Sequence, residues 1–208
     1  MPEKRSTFFN RLFLLSFVLL MTAAVGAGQS DWKLTKSKNG INVYTSAVAN
    51  SSFKAVKVEC TISGTYAKLM ALLQDVDGFE DWIYKTKKSK ILKKNSPNDF
   101  IYYSETSMPI PFSNRDVVIR MQIKTDSLPK FLTIQGGHQL DLIPEIPGRQ
   151  RITHYKASWK VTMPTANTIH IVYFMEVDPG GSLPAWLANS FADTGPYHTF
   201  SNLADKLK

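Results

Sequence analysis

The sequence predicts an α+β chain in which a large antiparallel sheet is closed by one long C-terminal helix. Three observations carry this. Apolar residues recur with period two through most of the chain. No strand–helix–strand alternation interrupts them, so no parallel sheet is expected. The last fifth then changes period: after Asp178-Pro179-Gly180-Gly181, apolar residues fall at Trp186, Leu187, Phe191, Tyr197, Phe200, Leu203 and Leu207, close to helical spacing. A helix with one apolar face must lie across something apolar, and here that surface is a sheet.

Each element has its own signal. Trp32 to Lys36 and Ile41 to Ser46 flank Asn39-Gly40, a strong hairpin turn. Phe53 to Ser63 continues as a strand, with Val56, Val58, Cys60 and Ile62 on one face. Leu69, Met70, Leu72, Leu73 and Val76 then make a helical face over Tyr66 to Val76, with Thr65 as N-cap and Asp77-Gly78 as the stop. Phe79 to Trp82 reads as a short helical turn. Strand character returns over Ser89–Lys93, Asp99–Ser107, Asp116–Lys124, Phe131–Gln135, Ile152–Met163 and Thr168–Val177. Pro- or Asn-rich connections separate several of these, at 95–98, 108–114 and 141–148. The Pro-Gly-Gly turn ends the last strand, and Leu183-Pro184 opens the final helix where a missing N–H costs nothing.

The N-terminus has the layout of a secretory signal peptide. Lys4, Arg5 and Arg11 form a positive region, Leu12 to Val25 is an uncharged apolar run, and Val25-Gly26-Ala27 offers a small-residue cleavage site. The run is shorter than the roughly 20 residues of a spanning helix, which favours cleavage over an uncleaved membrane anchor. Residues 1–27 are therefore assigned to the leader and residues 28–208 to one exported domain. The single cysteine, Cys60, makes no internal disulfide, so packing alone must hold the fold. Its place among alternating apolar residues makes it a small buried hydrophobe.

The formal charge is +8, of which the leader supplies two, leaving about +6. The excess is local, at Lys85, Lys87, Lys88, Lys90, Lys93 and Lys94. Such a stretch either protects a sheet edge or meets anionic lipid headgroups transiently. Export argues against nucleic acid.

A long antiparallel sheet wrapped around a C-terminal helix is the helix-grip arrangement. Within it the residues resemble the START family (steroidogenic acute regulatory protein-related lipid transfer), from Trp32 to about Leu207. The carriers are Gly40-Ile41-Xaa-Val43-Tyr44, Trp82, Asn114-Arg115-Asp116, Trp159-Lys160-Val161-Thr162-Met163-Pro164, Asp178-Pro179-Gly180-Gly181, Leu183-Pro184-Xaa-Trp186 and Gly195-Pro196-Tyr197. The resemblance implies a hydrophobic tunnel between a curved sheet and the terminal helix, holding one lipid-like molecule with no cofactor. It also implies a bacterial protein acting as a monomer in the periplasm.

Parity nominates the lining. After Asn114, residues Val117, Ile119, Met121 and Ile123 share one face and are expected to look into the cavity; Asp116, Val118, Arg120 and Gln122 share the other. Arg115 falls on the cavity face, with a structural salt bridge to a carboxylate favoured over ligand contact. Tyr103, Met108, Phe112, Tyr155, Tyr173 and Met175 are further candidates, and Trp186, Asn189, Phe191 and Phe200 are expected to reach inward from the helix. Pro196 removes a helical hydrogen bond, so Gly195-Pro196 is either a hinge or a fixed bend. Steroid-carrying relatives place an acid and an arginine inside the tunnel. Here Glu105 follows Ser104 and Arg120 lies opposite in parity to Arg115, so neither is placed to orient a sterol hydroxyl.

No nucleophile elbow, zinc helix, cysteine pair or phosphate loop is present. His138, His154, His170 and His198 are too far apart in sequence for a metal motif. With Thr165 at the centre of a turn over 163–167, His154 is expected opposite Glu176, and Gly136-Gly137-His138 reads as a turn. Binding or shuttling of a lipid-like ligand without catalysis is the leading expectation. The alternative is an enzyme on the same scaffold, a cyclase, aromatase or hydrolase of hydrophobic substrates, with Tyr103, Glu105, Arg115 and His138 as its nominees. A module that presents its ligand to a partner protein is a third.

Overall fold

Asn39 and Gly40 both take positive φ, 54° and 74°, and turn the chain tightly between β1 (Lys33–Lys38) and β2 (Ile41–Ala47). The computed structural model describes residues 32–126, 131–139 and 141–208; the leader assigned to 1–27 lies outside the described residues. β3 (Lys54–Ser63) pairs with β2 and turns Val56, Val58, Cys60 and Ile62 inward. Burial pushes the Cys60 thiol up to about 12, so it stays protonated and packs as a small hydrophobe.

Thr65 caps α1 (Tyr66–Gln74), its hydroxyl accepting from the Lys68 N–H at 3.3 Å. A 3₁₀ turn over Asp77–Asp81 follows and buries Phe79. The remaining strands are β4 (Thr86–Ser96), β5 (Asp99–Thr106), β6 (Asn114–Asp126), β7 (Phe131–His138), β8 (Arg149–Arg151), β9 (His154–Thr165) and β10 (Thr168–Asp178). Helix α2 (Ala185–Leu207) ends the chain.

The sheet runs β1-β2-β3-β10-β9-β7-β6-β5-β4, antiparallel throughout, with the short β8 added parallel to β6. The arrangement is the expected helix-grip fold. Register shifts within β4–β5 and β9–β10 mark bulges, which bend and twist a sheet too long to stay flat. β4 is one edge, and Lys87, Lys88, Lys90, Lys93 and Lys94 are all exposed along it, charges that discourage pairing with another strand.

Three expectations are corrected. The β9–β10 turn is Ala166-Asn167, with Thr165 opposite Thr168, and a bulge between Thr168 and His170 then shifts the pairing by one, so His154 faces Asp178 and Glu176 faces Lys156. Gly136, Gly137 and His138 belong to β7 and pair with β6 instead of turning. β8 was not expected at all. It exists because Arg149 and Arg151 answer two carboxylates on the outer face: Glu105 and Asp116 sit directly opposite each other across β5 and β6. Arg149 bonds Glu105 at 2.7 Å, and Arg151 bonds Asp116 through both carboxylate oxygens at 3.0 Å. The segment before β8 folds over Ile101, Tyr103 and Val118, with Ile143 and Ile146 packed on them.

The second half of α2 is seated firmly. Tyr197, Phe200, Leu203 and Leu207 are buried, and Lys68 donates to the carbonyls of Leu207 and Lys208. Gly64 lets this end approach. A Cβ there would stand 3.0 Å from Leu207 Cβ and 3.1 Å from Ile169 Cδ1. Gly64→Ala is therefore expected to cost about 1–3 kcal/mol of stability, read as a lower urea midpoint.

Candidate functional site

Between the inner face of the sheet and α2 lies a cavity of about 330 Å³. Its volume is within the range of small-molecule sites, toward the small end. Strand parity builds one wall: Val117, Ile119 and Met121 from β6 line it, beside Tyr102 and Ser104 from β5. Tyr155 and Trp159 from β9, with Tyr173 and Met175 from β10, continue that wall. Asn189, Phe191 and Phe200 close it from α2, and Met108 borders it from the loop before β6. Leu73, Phe79 and Trp82 supply the remaining apolar side.

Four of the nominated residues stand elsewhere. Tyr103 is on the outer face, because it is opposite Val118 while Tyr102 is opposite Ile119. Residues directly opposite in an antiparallel pair share a face, so Tyr102 takes the inward place. Phe112 is half-buried in the loop before β6 and does not border the cavity. Trp186 points to solvent, 72 % exposed. Ile123 is buried in the core without bordering the cavity. Trp82, Ser104, Lys54 and Lys85 are lining residues that sequence reasoning did not nominate.

Trp159, Tyr173 and Phe200 form a trio of rings with centroids 5.1–5.3 Å apart, joining sheet to helix across the site. Asn189 ties the first turns of α2 to the head of β3, donating to the Ser52 carbonyl and accepting from the Lys54 N–H. The Trp82 indole N–H is buried with no acceptor among the described residues, a polar donor left in an apolar lining. Burial holds the phenols of Tyr102 and Tyr173 well above their usual range and pushes Tyr155 up to about 12, so all three remain protonated.

Arg115 is 4 % exposed and borders the cavity, but the expected salt bridge is absent among the described residues. Its guanidinium donates to three backbone carbonyls instead, of Ser113, Pro179 and Gly180. The reason is the Pro-Gly-Gly turn: Gly180 and Gly181 take φ of 62° and 64°, and the Asp178 carboxylate holds the Gly180 N–H at 2.8 Å. The turn thereby aims its carbonyls at Arg115. The neighbouring Asp116 pairs with Arg151 instead.

On the outer face, burial pushes the Glu105 carboxyl up, but hydrogen bonds from Arg149 and Asn114 outweigh it and hold the group below its usual value. A carboxyl lowered in the folded state gives stability that is complete above its unfolded pKa of about 4.3 and is lost as pH falls through the lower folded value. Urea midpoints are therefore expected to drop on acidification below about pH 4.3, and Glu105→Gln should flatten part of that drop.

The profile of the START domain matches residues 19–204. The chain belongs to the START domain family. Its relatives include the uncharacterized protein PA1579 of Pseudomonas aeruginosa, 34% identical over 195 residues, which cover 91% of this chain and 95% of that one. The phosphatidylcholine transfer protein of Mus musculus is 26% identical over 170 residues, 80% of this chain and 78% of its own. Among solved structures, a STAR-related lipid transfer protein (fragment 25–204) from Xanthomonas axonopodis is 29% identical with a TM-score of 0.77, covering 85% of this chain and 98% of that one. Human STARD10, at 19% identity and a TM-score of 0.74, shares the START fold.

Proposed function

We propose that this START protein binds one lipid-like molecule in the cavity between sheet and α2 and carries it between membranes without chemical change. The observation that carries the reading is the cavity itself: its walls are the apolar inner face of the sheet and the underside of α2. Each buried methylene of a guest contributes ~0.8 kcal/mol, so a slot of this kind holds an acyl chain with no chemistry at all. Relatives named for lipid transfer support the same assignment. The lining also favours binding over catalysis. Its phenols are held protonated, and no carboxylate, histidine or thiol is among the described residues that border it.

The leader-like residues 1–27 support an exported protein working in the periplasm as a monomer, where hydrophobic molecules must cross water. The exposed lysines between Lys85 and Lys94 would then meet anionic headgroups transiently during loading, each contributing ~1 kcal/mol near a charged surface.

The test is native mass spectrometry of the protein purified from its own compartment without detergent, followed by solvent extraction. One stoichiometric lipid is the expected result. An empty protein that instead turns over a hydrophobic ester or polyketide would overturn the carrier reading.

A further inference from the structure

Four described arginines, Arg115, Arg120, Arg149 and Arg151, approach the inner or outer face of the sheet, and one of them is unlike the rest. Arg120, Arg149 and Arg151 each pair with a carboxylate, of Asp99, Glu105 and Asp116. Arg115, the one that borders the cavity, pairs with none among the described residues. A guanidinium has five N–H donors. Three of them go to the carbonyls of Ser113, Pro179 and Gly180, which leaves two. A buried cation without a counter-ion is costly, and an anionic acceptor at those donors offsets that cost in a way a neutral one cannot.

The other charges at the cavity agree in sign and in place. Lys54 and Lys85 border it, and no Asp or Glu does among the described residues. All three cations lie at one end of the sheet. Arg115 stands opposite Thr106, and Thr106 stands opposite Thr86, next to Lys85. Lys54 opens β3, which runs antiparallel to β10, and so lies level with the strand end that leads into Pro179 and Gly180. The far end is apolar: Leu73 borders it, and the next residue, Gln74, bonds Asn98 in the β4–β5 turn. The cavity is thus polarised along its length, cationic at one end and apolar at the other.

We propose that the guest is an anionic amphiphile, with a phosphomonoester or carboxylate head held by Arg115 at the Lys54 and Lys85 end and its chain directed toward Leu73. The proposal rests on the lipid-binding reading above and adds the charge of the head and its orientation.

The test uses the purified full chain, stripped of lipid, mixed with phosphatidylcholine vesicles that carry one pyrene-labelled probe: a phosphatidic acid, a fatty acid, a phosphatidylcholine or a diacylglycerol. Uptake is read by pyrene fluorescence. Phosphatidic acid and fatty acid are expected to be preferred over the other two by about tenfold or more. Arg115→Gln should remove that preference, with uptake of phosphatidic acid and fatty acid falling to that of diacylglycerol. Because Arg115 also holds the 179–180 turn, Arg115→Lys and a Lys54→Ala, Lys85→Ala double variant run beside it, and each should shrink the preference. The wild-type comparison decides even if Arg115→Gln does not fold. Equal uptake of all four probes overturns the headgroup proposal and leaves the lipid reading standing, as does a preference that survives Arg115→Gln. Uptake of none overturns both. Thermal stabilisation by inorganic phosphate alone, equal to that by phosphatidic acid, would make a free anion the ligand and overturn the amphiphile.

Discussion

Arg151→Ala is expected to lower the unfolding free energy by about 3–5 kcal/mol. Arg151 and Asp116 are 4 % and 1 % exposed, and two hydrogen bonds of 3.0 Å join them. Arg151 also donates to the carbonyls of Ile143 and Pro144, so it fastens the 141–151 segment over the outer face. Removing the guanidinium strands the Asp116 carboxylate in a place water does not reach, and the lost partner is what makes the change severe. Replacing both members by apolar residues of similar volume should cost far less than either single change, because no charge is then left unpaired. Urea unfolding of the two single variants and the double variant measures this directly. Additive losses would mean that the pair does not act as a unit.

The second large effect is on binding. Val117→Trp should reduce lipid uptake by more than about tenfold while leaving the fold intact. Val117 sits on β6 opposite Ser104, and both side chains border the cavity, so the added rings occupy the guest's space in place of a filled core. A small-to-large change in a packed interior strains its neighbours, but here the neighbour is empty volume. The expected signature is separation: pyrene-lipid uptake collapses while the thermal midpoint holds or rises. The control is Val118→Ala, one residue along and on the opposite face, packed with Ile101 and Tyr103. It should lower stability and leave uptake unchanged. If Val117→Trp still takes up lipid normally, the ligand lies somewhere other than this cavity.

How much of this was legible in the sequence depends on the strand. On β6 the alternation after Asn114 is clean, and it placed Val117, Ile119 and Met121 on the cavity side without knowledge of any partner. On β5 the run Phe100-Ile101-Tyr102-Tyr103 is apolar at every position, because the 141–151 segment covers the outer face and both sides of the strand are buried. Period two is then invisible, and only the register against β6 shows that Tyr102 and not Tyr103 turns inward. β8 has three residues, Arg-Gln-Arg, with no apolar pattern to read; its reason is a pair of carboxylates distant in sequence. The His154 register differs because the β9–β10 turn is centred between Ala166 and Asn167 instead of on Thr165, and a bulge after Thr168 then moves the pairing back by one residue. Arg115 was placed on the correct face, but its partners are backbone carbonyls of a turn 64 and 65 residues away, which no side-chain pattern encodes.

The uneven seating of α2 has a kinetic meaning. Its last three turns carry the buried Phe200, Leu203 and Leu207 and the tether from Lys68, while the turns before Pro196 are only partly buried and end in an exposed Trp186. Pro196 has no N–H to give back to the preceding turn, so the two halves are joined by fewer hydrogen bonds than an unbroken helix would have. Lifting the first half alone forfeits much less buried surface than lifting the whole, and it uncovers Asn189, Phe191 and the cavity behind them. The least costly opening is therefore local. On the proposed carrier reading, rates of guest exchange would follow that partial opening and global stability the rest of the molecule, so the two would vary independently.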